Sequence, residues 1–548
     1  MSTAKRIGVN TASSWIYQGT RGLMHMFLLP FLVGELGKDG YGIVALVGVL
    51  IGFSELVDLG LRAALSRTLA VHVAVKNYRR YNEVASTAML IYLSLGVFLG
   101  GLVVVLAPQI ARAFNVPAAL WDQALFLLRV YGSTSMVLSF VNPVFNSTIV
   151  SNNRFDIRNG IGIVDVILTA ALLFPILSVT HAGLMAYALI SAGILVAMTL
   201  VRAWAAWHIW PAMRISPVYV RRDAFGELFS LGGKMFIFNL MRFISVRSDP
   251  IVISYFFSPA GVTLYTPGMS LPMMAEQVIG GFRNQLDTLA TRYHSIGHKE
   301  RLHALLVRGT KYTFLMGIAT CVMLGVFADP IMRVWMGGKL GDDYHVAAWF
   351  MVGWSLVYLG NYAGGTQWAV LIGMNRLGFA TKLSTVSGII NILASVFLAG
   401  FTPLGPLGVI VPTVVMQYIM RPIIAVHTAR VAGLPVREYF RQAYAQPLWV
   451  LLVLSAVAVG LRLTVNPQTL VPLLACAAMV VLAWIPLCWW VGFDKEDKKR
   501  FGGIADGIRR KIGLSGGNGD RKPPNTPPAA VSWTGPVAEA SEDSDLPR

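Results

Sequence analysis

Long uninterrupted apolar runs, each close to the length of one bilayer crossing, constrain this chain more than any other feature. A helical crossing takes roughly 20 apolar residues. Such runs recur near 11–34, 41–60, 84–107, 122–150, 159–179, 183–208, 228–256, 261–285, 305–327, 346–372, 378–399, 406–428, 446–463 and 468–492. Backbone polar groups find no water inside hydrocarbon, so only helices or closed barrels can span it. The runs are continuous rather than alternating in short stripes, which argues against a barrel and predicts an all-α membrane protein of about fourteen crossings. With 55% hydrophobic residues, 13% charged and a mean hydropathy of +0.61, the 548-residue chain also has too few charges to cover a soluble surface.

Basic residues fix the expected orientation. One set of short loops holds Arg62, Arg67, Lys76, Arg79, Arg80, Arg154, Arg158, Arg214, Arg221, Arg222, Arg292, Lys299, Arg301, Arg308, Arg376, Lys382, Arg430, Arg437 and Arg441. The alternate set holds only Lys38, Arg112, Arg333, Lys339 and Arg462. Positive loops stay inside, so an even number of crossings places both termini in the cytoplasm. The formal charge of +18 would suggest nucleic acid in a soluble chain. Here topology and anionic headgroups account for it, and no nucleic-acid partner is read. Lys5 and Arg6 lead into a run carrying Gln18, Arg21 and His25 without a cleavage pattern, so that run reads as a crossing rather than a signal peptide. Cys321, Cys476 and Cys488 lie in apolar runs without ligand spacing and imply neither disulfide nor zinc.

An ungapped shift of 221 residues pairs Gln18 with Asn239, Arg21 with Arg242, Gly40 with Gly261, Gly60 with Gly281 and Arg62 with Arg283. Six crossings intervene, so the two copies share one orientation and would be related by an axis along the membrane normal. The expected organisation is an N-terminal lobe over 1–208, a cytoplasmic linker over 209–227, a C-terminal lobe over 228–430 and a further pair of crossings over 431–493. A basic juxtamembrane segment follows over 494–514, where Phe501, Ile504, Ile508 and Ile512 sit at helical spacing among Lys and Arg. It reads either as a helix lying on the anionic leaflet or as a solvated topogenic cluster. From 515 to 548 the chain is rich in Pro, Gly, Ser and acidic residues, a composition that stays disordered.

A charge at the centre of a spanning helix costs roughly 2.5–3.5 kcal/mol on the insertion scale, so it faces a wet cavity or a partner. Arg21 and His25 are four apart and share a helical face. Arg242, by the repeat, would look back from the opposite lobe. Guanidinium groups grip phosphate bidentately, so a cleft lined by these residues predicts an anionic cargo. Arg62 and Arg283 lie near the cytoplasmic boundary and read equally as cavity residues or as snorkelling ones. Asp165 and Glu55 are candidates for proton or sodium coupling, with a structural ion pair as the alternative for Asp165. Gln18 and Asn239, with Asn142, Asn146, Asn361 and Gln367, offer hydrogen bonds either to sugar hydroxyls or to neighbouring helices. Trp335, Trp349, Trp354 and Trp368 read as sugar-stacking residues or as interfacial belt. The nearest approach to a phosphate-binding loop, Gly232–Met235, lacks the required glycine spacing and following hydroxyl. No cofactor is expected, and the drive would come from an ion gradient, the membrane potential or the cargo itself.

The segment LGKDGYGIVALVGVLIGFSELVDLGLRAALSR (36–67) and its echo RSDPIVISYFFSPAGVTLYTPGMSL (247–271) resemble the corresponding parts of Wzx-type polysaccharide flippases. These belong to the multidrug/oligosaccharidyl-lipid/polysaccharide (MOP) exporter superfamily. The resemblance extends from Met1 to about Phe493 and implies a V-shaped, two-lobed transporter working by alternating access, without enzymatic chemistry. It implies an undecaprenyl-pyrophosphate-linked oligosaccharide as cargo, with the pyrophosphate at Arg21, Arg62, Arg242 and Arg283. It further implies a bacterial inner-membrane location, a polysaccharide polymerase as possible partner and a monomer as the simplest state. The MurJ lipid II flippases are similar in topology and in cavity arginines. The chain departs from the MATE drug-antiporter pattern by carrying Arg where that pattern has an acidic residue in the first crossing.

Overall fold

The computed structural model describes residues 3–52, 54, 61–180, 182–228 and 248–499. Arg242, Asn239 and Glu55 therefore lie outside the described residues, as do Arg247 and residues 500–548. The described regular structure is helical. Its elements are α1 (Thr3–Gly52), α2 (Leu61–Ala74), α3 (Tyr78–Ala113), α4 (Ala118–Ser151), α5 (Phe155–Thr180), α6 (Gly183–Ile209), α7 (Pro259–Ser295), α8 (Lys299–Val326), α9 (Ala328–Leu340), α10 (Tyr344–Gly373), α11 (Gly378–Phe401), α12 (Gly405–Ala432), α13 (Val436–Ala443), α14 (Ala445–Val465) and α15 (Leu470–Gly492). A further helical stretch covers 248–256. The compact unit ends at Gly492, and residues 493–499 belong to a separate one.

Among the described residues, nine helical segments are long and apolar enough to cross a membrane. Helices α1, α7 and α10 are not among them, because each interrupts its apolar surface with polar, aromatic or glycine residues. Those three form the centre of the molecule: α1 packs along α7, α7 along α10, and α10 against α8 and α12. Polar content and central position thus go together, as expected where polar groups are costly against lipid.

Within α1 the backbone breaks at Gly37, whose φ of 72° lies in the left-handed region that only glycine enters without cost. The helix is broken there, so residues 3–36 and 38–52 are two helices joined across a kink. Two short helices, α9 and α13, were not resolved as elements by the apolar-run pattern. Neither is long enough to span, and α13 carries Arg437, Glu438 and Arg441.

A large apolar core draws only on residues between Ile43 and Leu228, and another only on Leu286 to Ala443. A third joins the two halves, with Leu46 and Phe114 set among Ile253, Val262, Tyr265, Phe350 and Trp354. Hydrogen bonds accompany it. Asn115 Nδ2 donates to the Tyr255 carbonyl (2.5 Å), Ser254 Oγ to the Phe114 carbonyl (2.7 Å) and Thr263 Oγ1 to the Lys38 carbonyl (2.5 Å). Asp39 Oδ1 accepts from the Ala260 amide at 3.2 Å. Asp39 and Ala260 are 221 residues apart, the offset of the sequence repeat. Equivalent positions touch where a two-fold axis passes between two copies, so this contact marks the pseudo-two-fold between the halves.

Residues 210–228, which connect the halves, are strapped to the start of α3. Asn82 binds the backbone at Ala212 and Arg214, Ser86 binds at Ser216 and Thr87 at Arg221. Arg80 adds ion pairs to Asp223 (2.6 Å), Glu227 (2.9 Å) and Glu83 (3.2 Å). Its guanidinium holds the Asp223 carboxyl below the usual carboxylate range. A lowered pKa means that this contact is present at neutral pH and is lost as pH falls through the lowered value. Arg80→Gln removes all three pairs and is expected to loosen the strap. The measurement is tryptic cleavage after Arg221 and Arg222 in membranes, which should become several times faster; an unchanged rate would show that Asn82, Ser86 and Thr87 hold the strap alone.

Candidate functional site

The first crossing has two faces. At about 100° per residue, Gln18, Arg21 and His25 fall within one narrow arc. On the opposite side lie Ile16, Leu23 and Phe27, which are 60%, 58% and 65% exposed. An apolar, outward-facing stripe is what hydrocarbon solvates, so the polar stripe turns toward the protein interior. Flanking contacts agree. The Tyr17 ring lies against Gly162 of α5 on one side, and Met274 Cε of α7 lies against Gly22 on the other.

Contacts between α1 and α7 begin at the Gly37 side with Lys38 and Thr263 and continue inward to His25, whose Nε2 is 3.1 Å from Ser270 Oγ. Gly22 with Met274 comes next. Arg21, next to Gly22, and Gln18, about one turn further in, are exposed, and no carboxylate pairs with Arg21 among the described residues. The seam thus closes on the Gly37 side and presents a glutamine and an unneutralised guanidinium just beyond its last contact.

Arg283 occupies a different place. It shares a face of α7 with Glu276, seven residues earlier, and its Nη2 donates to Glu276 Oε1 at 2.5 Å. That face turns from α1 toward α10, where Arg283 Cδ lies 2.8 Å from the position a Cβ would take on Gly365. The adjacent Gly364 makes equal room for Arg421 of α12, whose Nη1 would lie 2.8 Å from a Cβ there. Arg421 donates to Asn361 Oδ1, which also accepts from Gln417 at 3.0 Å. The Gly364–Gly365 pair is therefore a notch that seats two guanidinium groups inside the C-terminal half. The structure brings Arg21, His25 and Gln18 together and sets Arg283 apart from them in this second cationic centre. Arg62 is exposed at the start of α2.

Asp165, Asn361 and Gln367 have structural partners. Asp165 accepts from Arg202 Nη2 of α6 at 2.6 Å. Gln367 donates to the hydroxyls of Tyr439 (3.2 Å) and Tyr444 (2.7 Å). Asp249 is fully buried, with Oδ2 3.4 Å from the Tyr265 hydroxyl and Oδ1 unpartnered among the described residues. Trp354 is buried in the core that joins the halves rather than placed in an interfacial belt.

Arg421, Arg202 and the buried Lys311 were missed as intramembrane charges. Their signal was available: each lies inside an apolar run, and Arg421 follows Gln417 by four residues on one helical face.

Two halves related by a pseudo-two-fold, with polar groups concentrated on the central helices, define a multi-pass membrane transporter. Residues 35–344 match the family described as polysaccharide biosynthesis protein. The chain belongs to that family, and it is a transporter rather than an enzyme. It is 20% identical over 487 residues to the uncharacterized membrane protein EpsK of Bacillus subtilis (strain 168), covering 87% of this chain and 93% of EpsK. It is 21% identical over 238 residues to a protein named for O-antigen transport from Shigella flexneri, covering 43% of this chain and 55% of that one. Its fold is that of the lipid II flippase MurJ in an inward closed conformation, with a TM-score of 0.67 at 14% identity over 92% of this chain and 99% of MurJ. An inward-facing MATE family transporter of the MOP superfamily superposes with a TM-score of 0.61 at 15% identity, over 76% of this chain and 99% of the transporter.

Proposed function

We propose that this protein flips a lipid-linked oligosaccharide, an undecaprenyl-pyrophosphate-linked polysaccharide repeat unit, across the bacterial inner membrane by alternating access. The observation that carries the reading is the Gln18–Arg21–His25 stripe, set at the seam between the halves and opposite a lipid-facing side of the same helix. A guanidinium beside the end of a closed seam suits a pyrophosphate headgroup, whose lipid tail remains in the bilayer while the glycan crosses. The same positive field disfavours cationic drugs, which separates this reading from a MATE-like exporter.

With both termini in the cytoplasm, the Gly37 side is external and the conformation is closed to the outside. Arg283 and Arg421, together with Arg62 and Arg242, supply further positive potential as the headgroup moves. Coupling to a proton or sodium gradient would use a carboxylate, with Asp165, Glu55 and Asp249 as the candidates; the membrane potential is the other source of drive. A polysaccharide polymerase would take the flipped unit.

Purified protein in proteoliposomes tests the reading. Lipid-linked glycan loaded in one leaflet should become accessible to an impermeant glycan-modifying reagent on the other side, faster than lipid II does. Collapse of the proton gradient, the sodium gradient or the potential in separate arms identifies the drive. Lipid II flipped in preference to the polysaccharide unit would favour the MurJ-like alternative. Uptake of a cationic drug without glycan movement would overturn the proposal.

A further inference from the structure

Pro30 interrupts the hydrogen bonding of α1. Proline has no N–H, so the carbonyl four residues earlier, that of Met26, loses its intrahelical donor. In a membrane helix such a carbonyl must be satisfied from elsewhere. The donor here comes from the other half of the protein: Trp335 Nε1 of α9 donates to the Met26 carbonyl at 2.7 Å. Four residues along α9, Lys339 lies against Gly34 of α1, and in the turn just past the end of α9 Asp343 pairs with Lys38 at 2.5 Å. One side of α9 and the turn after it therefore run beside α1 from Met26 to Lys38, just past the Gly37 break, and the contact farthest from that break is the proline-orphaned carbonyl. Met26 is the residue next to His25.

We propose that Trp335 is a positioning residue that links closure of the Gly37 side to presentation of the α1 polar stripe, by capping the carbonyl that Pro30 leaves without a donor. With the halves together on that side, the cap is made and the stripe is held at the inner end of the seam, with Arg21 and Gln18 just beyond the last contact. Separation of the halves there breaks the cap and leaves the Met26 carbonyl to water entering the opened seam. The ion pair of Lys38 with Asp343 and the contact of His25 with Ser270 act in the same direction, but neither answers a defect built into α1. The alternative role for Trp335 is ring packing alone, which would be indifferent to whether residue 30 carries an N–H. The inference rests on alternating access, taken from the proposed function, and not on the identity of the cargo.

The test is a double-mutant cycle read by a distance rather than by transport. Spin labels at Thr180→Cys and Thr464→Cys, with the three native cysteines replaced, report separation on the Gly37 side by pulsed electron resonance in nanodiscs. Trp335→Phe keeps the ring and removes the donor. It is expected to raise the population open on that side about five- to tenfold. Pro30→Ala restores an N–H that can bond the Met26 carbonyl within the helix, so in that background Trp335→Phe should shift the population less than about twofold. Equal shifts in both backgrounds, or no shift with Pro30 present, would overturn the proposal. If Trp335→Phe does not fold, Trp335→Leu, which also lacks a donor, carries the same comparison. Because no glycan is present, failure here leaves the cargo reading standing, and failure of glycan transport leaves this result standing.

Discussion

Replacing Arg21 with alanine is expected to reduce transport of the lipid-linked glycan by about a hundredfold or more, with the protein still folded and inserted. Hydrogen bonds to a charged group contribute about 1.5–3 kcal/mol each, and a guanidinium can offer two to one phosphate. Loss of about 3 kcal/mol corresponds to roughly two decades in binding. Arg21 is the cleanest position for the test because it is exposed and no carboxylate pairs with it among the described residues, so its removal strands nothing. Arg283 differs: alanine there would leave Glu276 as an uncompensated, largely buried carboxylate, and a folding defect would mask any transport effect. Arg21→Lys keeps the charge without the fork and should fall between wild type and alanine. The measurement is glycan accessibility in proteoliposomes at matched protein content. Undiminished flipping by Arg21→Ala would show that the headgroup is held elsewhere, with the Arg283–Arg421 centre the next place to look.

The part of the site that could be read from sequence is the part that depends on one helix. Gln18, Arg21 and His25 share a face because of α-helical spacing alone, and their depth follows from the length of the run that holds them. The relation between the halves was also legible, since a repeated polar pattern at one offset implies a repeated fold; the Asp39–Ala260 contact places the axis. What could not be read is which faces meet. Arg283 matches Arg62 in the repeat, yet its side chain turns toward α10, because Glu276 lies seven residues before it on the same face and Gly365 makes room there. Asp165 left a choice between coupling and pairing, and its ion pair is to Arg202, 37 residues away on another helix. Trp335 suggested either sugar stacking or a belt; its bond to Met26 spans 309 residues. In each case the deciding partner lies on another helix, beyond the reach of spacing arguments.

Gly42→Ala should produce the largest change in conformation for the smallest change in chemistry. A Cβ on Gly42 would overlap the backbone carbonyl of Pro259, directly beside the Asp39–Ala260 contact. A side chain could rotate away, but a backbone carbonyl at the start of α7 cannot, so the second half of α1 and the first turn of α7 must separate. Overpacking of this kind costs about 1–3 kcal/mol. Within α1 itself the substitution is favourable, since alanine is a better helix former than glycine by about 1 kcal/mol. The strain therefore falls on the seam, while the cores of the two halves are untouched, and the least costly relief is to open the Gly37 side. A bias of that size shifts a two-state population by roughly 5- to 150-fold. The expected result is a longer separation between Thr180 and Thr464 labels, a near-normal melting temperature and a loss of transport. Gly48→Ala is the control, because a Cβ there meets nothing within 4 Å and should change neither distance nor transport. A lowered melting temperature with an unchanged label distance would place the strain inside the halves and remove this contact from the moving interface.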